Sequence, residues 1–353
     1  MRIAIDISPL TSGNFLQHRV RGTGFYLKNL KESLLKYHPD NEYEFFNRQG
    51  KIKIEPDIIH YPYFEPYFLT LPSNVSGNSV VTVHDLTPLV FRSEFPAGIR
   101  GEVKWQIQKK RLKRAGAIIT DSSSSKKDIS KFSGIDNSKI YVVYLAAATY
   151  FKQVSEEKKR ETIKKFNLPK DFVLYVGDVT WNKNLPGLIE AIGKTGSHLV
   201  IVGAAFASES FDRSNPWNKD LAKSQELAKQ NNRITSTGFV NNDDLVSLYN
   251  AAKLFVMPSF YEGFGLPVLE AMSCGCPVVT TKMGSLPEVA GQAAYFVDPY
   301  SIDSIKEGIE KIAEDKNMRE KLSMKGLEQA KKFNWEKTAR GTIEVFKKVK
   351  DRN

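Results

Sequence analysis

Residues 257–280 read MPSFYEGFGLPVLEAMSCGCPVVT, and the way this stretch must fold decides the class of the whole chain. A β-branched apolar run ends at Met257, a loop with two glycines follows, and Pro267 marks the start of a helix, where its missing N–H costs nothing. The helix closes near Cys274, with Gly275 suited to the left-handed position beyond it, and a second apolar run opens at Pro277. Strand, loop, helix, strand is the unit of a parallel sheet. Its loop sets the backbone N–H groups of Phe264, Gly265 and Leu266 at a helix N-terminus, an anion cradle. Gly263 and Gly265 let a phosphate approach the main chain, while Glu262 and Glu270 flank it. A carboxylate repels phosphate, so the glutamates point to hydroxyl groups, on a sugar or a ribose. Taken singly, Glu270 reads as a first-turn acid complementing the helix dipole and Glu262 as a surface acid.

Outward from this unit the same grammar repeats. β-branched runs at 3–7, 58–60, 79–84, 117–121, 140–144, 172–177, 199–203, 233–237, 254–257 and 277–280 alternate with amphipathic helical stretches. The 353 residues exceed what one core organises. A charged, apolar-poor stretch at 151–170 marks the boundary. The expected class is therefore α/β, with two Rossmann-like doubly wound domains facing across a cleft. The division predicted is 1–168 and 169–334.

Composition narrows the partners. Lys and Arg exceed Asp and Glu by 51 − 40 = +11, which favours anionic ligands or surfaces. Cys274 and Cys276 supply neither a disulfide framework nor a zinc site, which suits a reducing cytoplasm. Asp6 breaks the first apolar run before it reaches signal-peptide length, and no run spans a bilayer. Near the C-terminus Val345, Phe346 and Val349 form an apolar stripe among Lys337, Arg340, Lys347, Lys348 and Lys350, basic residues read as a solvated face, with membrane attachment the minor alternative.

Glu262 and Glu270, seven residues between them, resemble the signature of glycosyltransferase family 4, retaining enzymes with the GT-B fold. The resemblance continues into Gly284-Ser285-Leu286-Pro287-Glu288-Val289, where Ser285 and Glu288 also fit a capping box, and into Asn334-Trp335-Glu336 opening a final helix. It is strong over the second half and loose over the first. It implies that Glu262 binds hydroxyls of a donor sugar and that Glu270 binds the ribose of a nucleoside diphosphate sugar. The main chain of Gly263, Phe264, Gly265 and Leu266 would then hold the sugar and diphosphate, with Phe239 and Val240 completing the donor site. The helix 335–353 would return to complete the first domain.

Lys183, in YVGDVTWNKNL at 175–185, is a loop lysine that the resemblance assigns to the diphosphate, where it stabilises the departing charge. The family commonly has Arg after the glycine. Here Asp178 stands there, and either Arg19 or Arg21, in a loop with Gly22 and Gly24 before a helix near Phe25, or further backbone donation is expected to make up the missing charge, the loop arginines alternatively meeting the acceptor. His84 ends a strand, where open sheets keep their chemistry, and the resemblance makes it catalytic together with Lys183 and Glu262. His60 ends another strand and ranks lower. Asp121-Ser122 reads as a helix N-cap.

These readings predict transfer of a hexose, with GDP-mannose suggested by Trp181-Asn182-Lys183-Asn184, onto a saccharide or lipid-linked acceptor in surface polysaccharide or glycolipid assembly. No cofactor or metal is expected. The basic stretch 99–114 is expected to touch anionic membrane from the cytoplasmic side rather than nucleic acid, for which no motif is present. Two alternatives stay open: a silent nucleotide-sugar binder, and a glycoside hydrolase using the two glutamates, for which a phosphate cradle would have no use. A nicotinamide enzyme lacks its glycine fingerprint. The assignment requires that 262–270 be neither buried beneath packing nor turned away from the gap expected between the two halves.

Overall fold

The computed structural model describes residues 1–10, 20–48, 50–208 and 210–352. The chain divides into two compact units, Met1–Ala146 with Phe333–Asn353, and Ala147–Lys332.

In the first unit the strands are β1 Arg2–Asp6, β2 Glu42–Phe46, β3 Ile58–Tyr61, β4 Ser79–Thr82, β5 Ala117–Thr120 and β6 Ile140–Val142. They form one parallel sheet in the order β2-β1-β3-β4-β5-β6. Its helices are α1 Val20–Tyr37, α2 Thr87–Val90, α3 Gly98–Arg114 and α4 Ser123–Ser133. Every residue of β4 and β5 is buried, as expected of parallel strands covered on both faces.

The second unit begins with α5 Glu156–Lys165, β7 Val173–Val176, α6 Leu185–Gly193, β8 Leu199–Val202, α7 Ala204–Ala207, α8 Lys219–Lys229 and β9 Ile234–Gly238. It continues through α9 Asn242–Ala251, β10 Leu254–Met257, α10 Leu266–Ser273, β11 Val278–Thr281, α11 Leu286–Ala290 and β12 Ala294–Val297. Helices α12 Ile302–Glu314 and α13 Lys316–Ala330 complete it, and α14 Trp335–Lys350 belongs to the first unit. The second sheet is parallel in the order β12-β11-β10-β7-β8-β9. Val173, Leu188, Leu199, Ile201, Leu254, Val256 and Ile309 pack into its core.

Four readings of the sequence are corrected. Strands β2 and β12 were not anticipated. Both are sheet edges: EYEFF of β2 carries two glutamates, whereas AYFV of β12 is apolar throughout but only partly buried. The charged stretch at 151–170 holds no linker between units: it contains α5, whose Lys165 Nζ binds both carboxylate oxygens of Asp244 on α9 at 2.8 and 2.7 Å. Helix α1 opens at Val20 rather than near Phe25, so Gly22 and Gly24 lie in its first turns, Gly22 exposed and Gly24 buried. The basic residues Lys347, Lys348 and Lys350 are exposed, as read, but the stripe Val345, Phe346 and Val349 is not available to a membrane. It is buried on the first unit, where the Phe346 ring meets His60 edge-on at 5.3 Å. Asn334 caps this helix by accepting the Lys337 N–H at 2.9 Å.

Candidate active site

In the second sheet the strand order reverses between β7 and β10, which pair directly. Ligands of doubly wound sheets bind beyond the strand ends at such a reversal. The loops leaving these two strands carry Lys183 and Glu262, and they are tied together by amides. The Phe260 N–H donates to the Asn182 carbonyl at 2.8 Å, and Asn182 Nδ2 donates to the Tyr261 carbonyl at 3.0 Å. Asn184 adopts φ +52°, a left-handed conformation that asparagine tolerates, and its Nδ2 donates to the carbonyls of Pro258 and Pro299 at 3.1 and 2.8 Å. The Trp181 ring stacks on Phe260 with centroids 4.7 Å apart.

This stapling brings Lys183 Nζ to 2.7 Å from each carboxylate oxygen of Glu262, and Ser259 Oγ donates to Oε1 at 2.7 Å. The Glu262 residue is only 6% exposed, so its charge is tolerable only because it is paired and hydrogen-bonded. It is no surface acid.

The backbone of Glu262 is clamped as well. Its carbonyl accepts from the N–H and the hydroxyl of Ser285 at 3.1 and 3.0 Å. Gly284 at φ +57° permits this approach, since a Cβ there would lie 2.5 Å from the same carbonyl oxygen. The capping box read at Ser285 and Glu288 is thereby overturned. Ser285 precedes α11 but makes no side-chain cap, because its hydroxyl is engaged by Glu262.

Helix α10 opens at Leu266 with Pro267 second, and its first N–H groups have no partner within the helix. Gly265, at φ +91°, allows the turn, and a Cβ there would lie 2.8 Å from Leu286 Cδ2. The glycine at 265 is thus required by the fold itself. Glu262, Gly263, Phe264 and Gly265 are buried, whereas Leu266, Pro267 and Glu270 are partly exposed. The cradle therefore opens to solvent at the helix start and not along its whole length.

Glu270 lies past the first turn of α10, so the dipole role read for it does not hold. It accepts from Tyr249 Oη at 2.9 Å. Burial pushes its carboxyl up to about 7, against the opposing effect of the Tyr249 hydrogen bond. Beyond the edge strand β9, Phe239 is exposed and Val240 buried. Asp178 is exposed, and its carbonyl accepts from Tyr175 Oη at 2.9 Å.

In the first unit, His84 Nδ1 lies 2.7 Å from Asp121 Oδ2. Asp121 was read with Ser122 as a cap. Ser122 alone caps α4, accepting the Ser125 N–H at 3.0 Å, and Asp121 turns to the histidine instead. The end of β5 beside the end of β4 was the available signal for this pair. Burial lowers the His84 pKa, but the charge and hydrogen bond of Asp121, with Asp85 and Glu65, outweigh it and leave the pKa raised. His60 is a buried structural group: its Nε2 is 2.8 Å from Thr82 Oγ1, and burial, with repulsion from His84, pushes its pKa down to about 3. Arg19 and the Arg21 side chain lie outside the described residues. Arg48, not singled out from the sequence, pairs with buried Asp6 at the ends of β2 and β1. Among the described residues no three of His, Cys, Asp and Glu gather as metal ligands, and no helix is long and apolar enough to cross a membrane.

Comparison with known proteins decides the family. Residues 155–329 match the model for glycosyl transferases group 1, and residues 14–149 match that for Glycosyltransferase Family 4. An O-antigen chain mannosyltransferase B of Escherichia coli is 32% identical over 299 residues, 82% of this chain and 75% of that protein. The chain belongs to glycosyltransferase family 4. The serotype-specific mannosyltransferase WbdA of Escherichia coli is 30% identical over 309 residues, 84% of this family 4 chain but 37% of the longer relative. Among solved structures, Anabaena Alr3699/HepE in complex with UDP and glucose superposes with a TM-score of 0.72 at 17% identity, covering 98% of this chain and 99% of that one. Likeness at that identity shows the fold, a GT-B arrangement of two α/β domains.

Proposed function

We propose that the protein transfers mannose from GDP-mannose, with retention of anomeric configuration, to an acceptor hydroxyl in the assembly of a surface polysaccharide or glycolipid. The observation that carries this reading is the Lys183–Glu262 pair at the strand-order reversal, beside the opening of α10. A cation, a carboxylate and a helix N-terminus there suit two parts of one ligand: the cation and the helix N-terminus the diphosphate, the carboxylate the sugar hydroxyls. As the nucleotide leaves, Lys183 and the N–H groups at 264–266 would stabilise the developing charge, and Glu262 would hold the sugar that becomes oxocarbenium-like. Glu270 would receive the ribose hydroxyls, with Phe239 and Val240 at the base. His84 of the first unit is proposed as a catalytic group in the same reaction, and Arg19 or Arg21 as a further cation.

The choice of mannose is supported by the names of the two relatives. Since fixed cations of the chain meet the diphosphate, no metal ion or other cofactor is needed in this reading, and chelation is expected to leave the rate unchanged. A cytoplasmic site with peripheral contact to anionic lipid is supported by α3, where Ile99 and Val103 are exposed near Arg100 and Lys110. Arg111 and Arg114 on the same helix are engaged by the carbonyls of Leu71 and Ser73.

A thermal-shift screen against GDP-, UDP-, ADP- and dTDP-sugars tests the donor, because a ligand that binds only the folded state raises its stability. GDP-mannose is expected to give the largest shift and to be turned over to an α-linked product. No shift from any nucleotide sugar would end the transferase reading, and a shift without turnover would leave a silent binder.

A further inference from the structure

His84 and Asp121 leave an unusual residue of unmet hydrogen-bonding capacity. Nδ1 of the imidazole is held by Asp121 Oδ2 at 2.7 Å, yet His84 Nε2 and Asp121 Oδ1 are both buried with no hydrogen-bond partner among the described residues. Buried polar atoms are rarely left this way, and each one calls for a reason. The surroundings fix the ring tightly. Tyr26 of α1 sets its ring edge-on to the imidazole with centroids 4.8 Å apart, and the Tyr26 hydroxyl is within 3.2 Å of Thr82 Oγ1, which is also bound to His60. The carboxylate of Asp85, next in sequence, accepts the Thr87 N–H at 2.8 Å and so is turned along the chain.

From this geometry we infer that Asp121 is a positioning residue, which keeps the proton of neutral His84 on Nδ1 and so presents Nε2, with its lone pair, as the acceptor for a sugar hydroxyl. A carboxylate accepts and does not donate, so the ring nitrogen facing it must carry hydrogen. The other nitrogen is then an acceptor while the ring is neutral and a donor only once the ring is charged. The part concerning the sugar rests on the transferase reading. The part concerning the imidazole does not, and the two can fail separately.

The groups facing His84 are Asp121 from the end of β5, Asp85 beside it, Glu65 from the loop after β3, His60 on β3 and Tyr26 on α1. Of these, Asp121 is the carboxylate in direct contact, so its removal has a predictable sign: His84 loses its proton at lower pH, and the acidic limb of the kcat profile moves down with it.

The test is imidazole nitrogen NMR on the full chain labelled at histidine, with the His84 signal assigned by its loss in His84→Gln. In the wild type, neutral His84 is expected as the Nδ1–H tautomer. In Asp121→Asn, whose amide can donate to Nδ1, the neutral ring is expected to shift towards Nε2–H and its titration midpoint to fall. Turnover should drop by about 10- to 100-fold, the scale of losing an outer-shell carboxylate behind a functional imidazole, with the donor KM little changed. A wild-type spectrum showing Nε2–H overturns the proposal whether or not the variant folds. An unchanged tautomer and midpoint in Asp121→Asn overturns it too. If the spectra behave as expected but no sugar is transferred by the wild type, the positioning stands and the transferase reading falls.

Discussion

Each unit carries an acid–base pair at the carboxyl ends of its strands, Lys183–Glu262 in the second and His84–Asp121 in the first, and these two are finished differently. In the second unit, Glu262 is fully satisfied: Lys183 reaches both of its oxygens, and Ser259 adds a third bond. In the first, Asp121 and His84 share a single contact, and a buried atom on each side has no partner among the described residues. The sites also differ in topology. The order of the second sheet reverses at β7 and β10, where its pair sits, whereas the first sheet reverses between β1 and β3, where Asp6 and Arg48 meet, and His84 and Asp121 lie further along on β4 and β5. A satisfied pair holds its loops in place before any ligand arrives, and in the proposed reading the ligand would divert the lysine. An unsatisfied pair is a cost that a ligand can relieve.

The contrast breaks first at Lys183. Lys183→Ala leaves the Glu262 carboxylate buried and uncompensated, a change worth about 3 kcal/mol or more in stability by denaturant unfolding. The double variant Lys183→Ala with Glu262→Gln should recover part of that loss. If the single variant is as stable as the wild type, the closed pair does not brace the loops.

A second effect depends on pH. The Glu270 carboxyl is raised in the folded protein from 4.5 to about 7, so the unfolded chain ionises first as pH rises. Its contribution to stability is therefore complete below pH 4.5 and is lost as pH rises towards 7, by up to about 3 kcal/mol. Glu270→Gln should flatten that part of the stability profile, measured by urea midpoints between pH 5 and 8. In the wild type, affinity for a ribose-bearing nucleotide should tighten over the same window, as the carboxylate proposed to accept the hydroxyls forms. A profile with the same slope in both proteins would show that Glu270 titrates normally.

The smallest expected effect sharpens the account of the Glu262 clamp. Ser285→Ala removes one hydrogen bond to a buried carbonyl while the backbone bond remains, for a loss of about 1 kcal/mol. Since Ser285 makes no cap, α11 should persist by circular dichroism. A larger loss accompanied by helix fraying would restore the capping role.

Much of this was readable before any coordinates. Central strands announced themselves as continuous apolar runs, because a parallel strand is buried on both faces. The edge β2 did not, since a half-exposed strand carrying Glu42 and Glu44 resembles a polar connection. The same split holds at the site. Lys183 and Glu262 stand in dense glycine- and proline-bearing loops whose local conformation can be inferred from their own residues. The groups that make those loops work, Asn182, Asn184, Ser259 and Tyr249, act through contacts between segments far apart in sequence. Asp121 was hidden for another reason: an Asp-Ser pair before a helix offers two capping residues where one suffices, and nothing local tells which one is released for other work.

The most direct test of the central claim is calorimetric titration of GDP, with guanosine as the control, into the wild type and Lys183→Ala. If the lysine is diverted from Glu262 to the diphosphate, the variant should bind GDP about tenfold or more weakly, a loss of at least about 1.4 kcal/mol, while guanosine binds both proteins alike. Equal affinity for GDP in a folded Lys183→Ala protein would contradict the account.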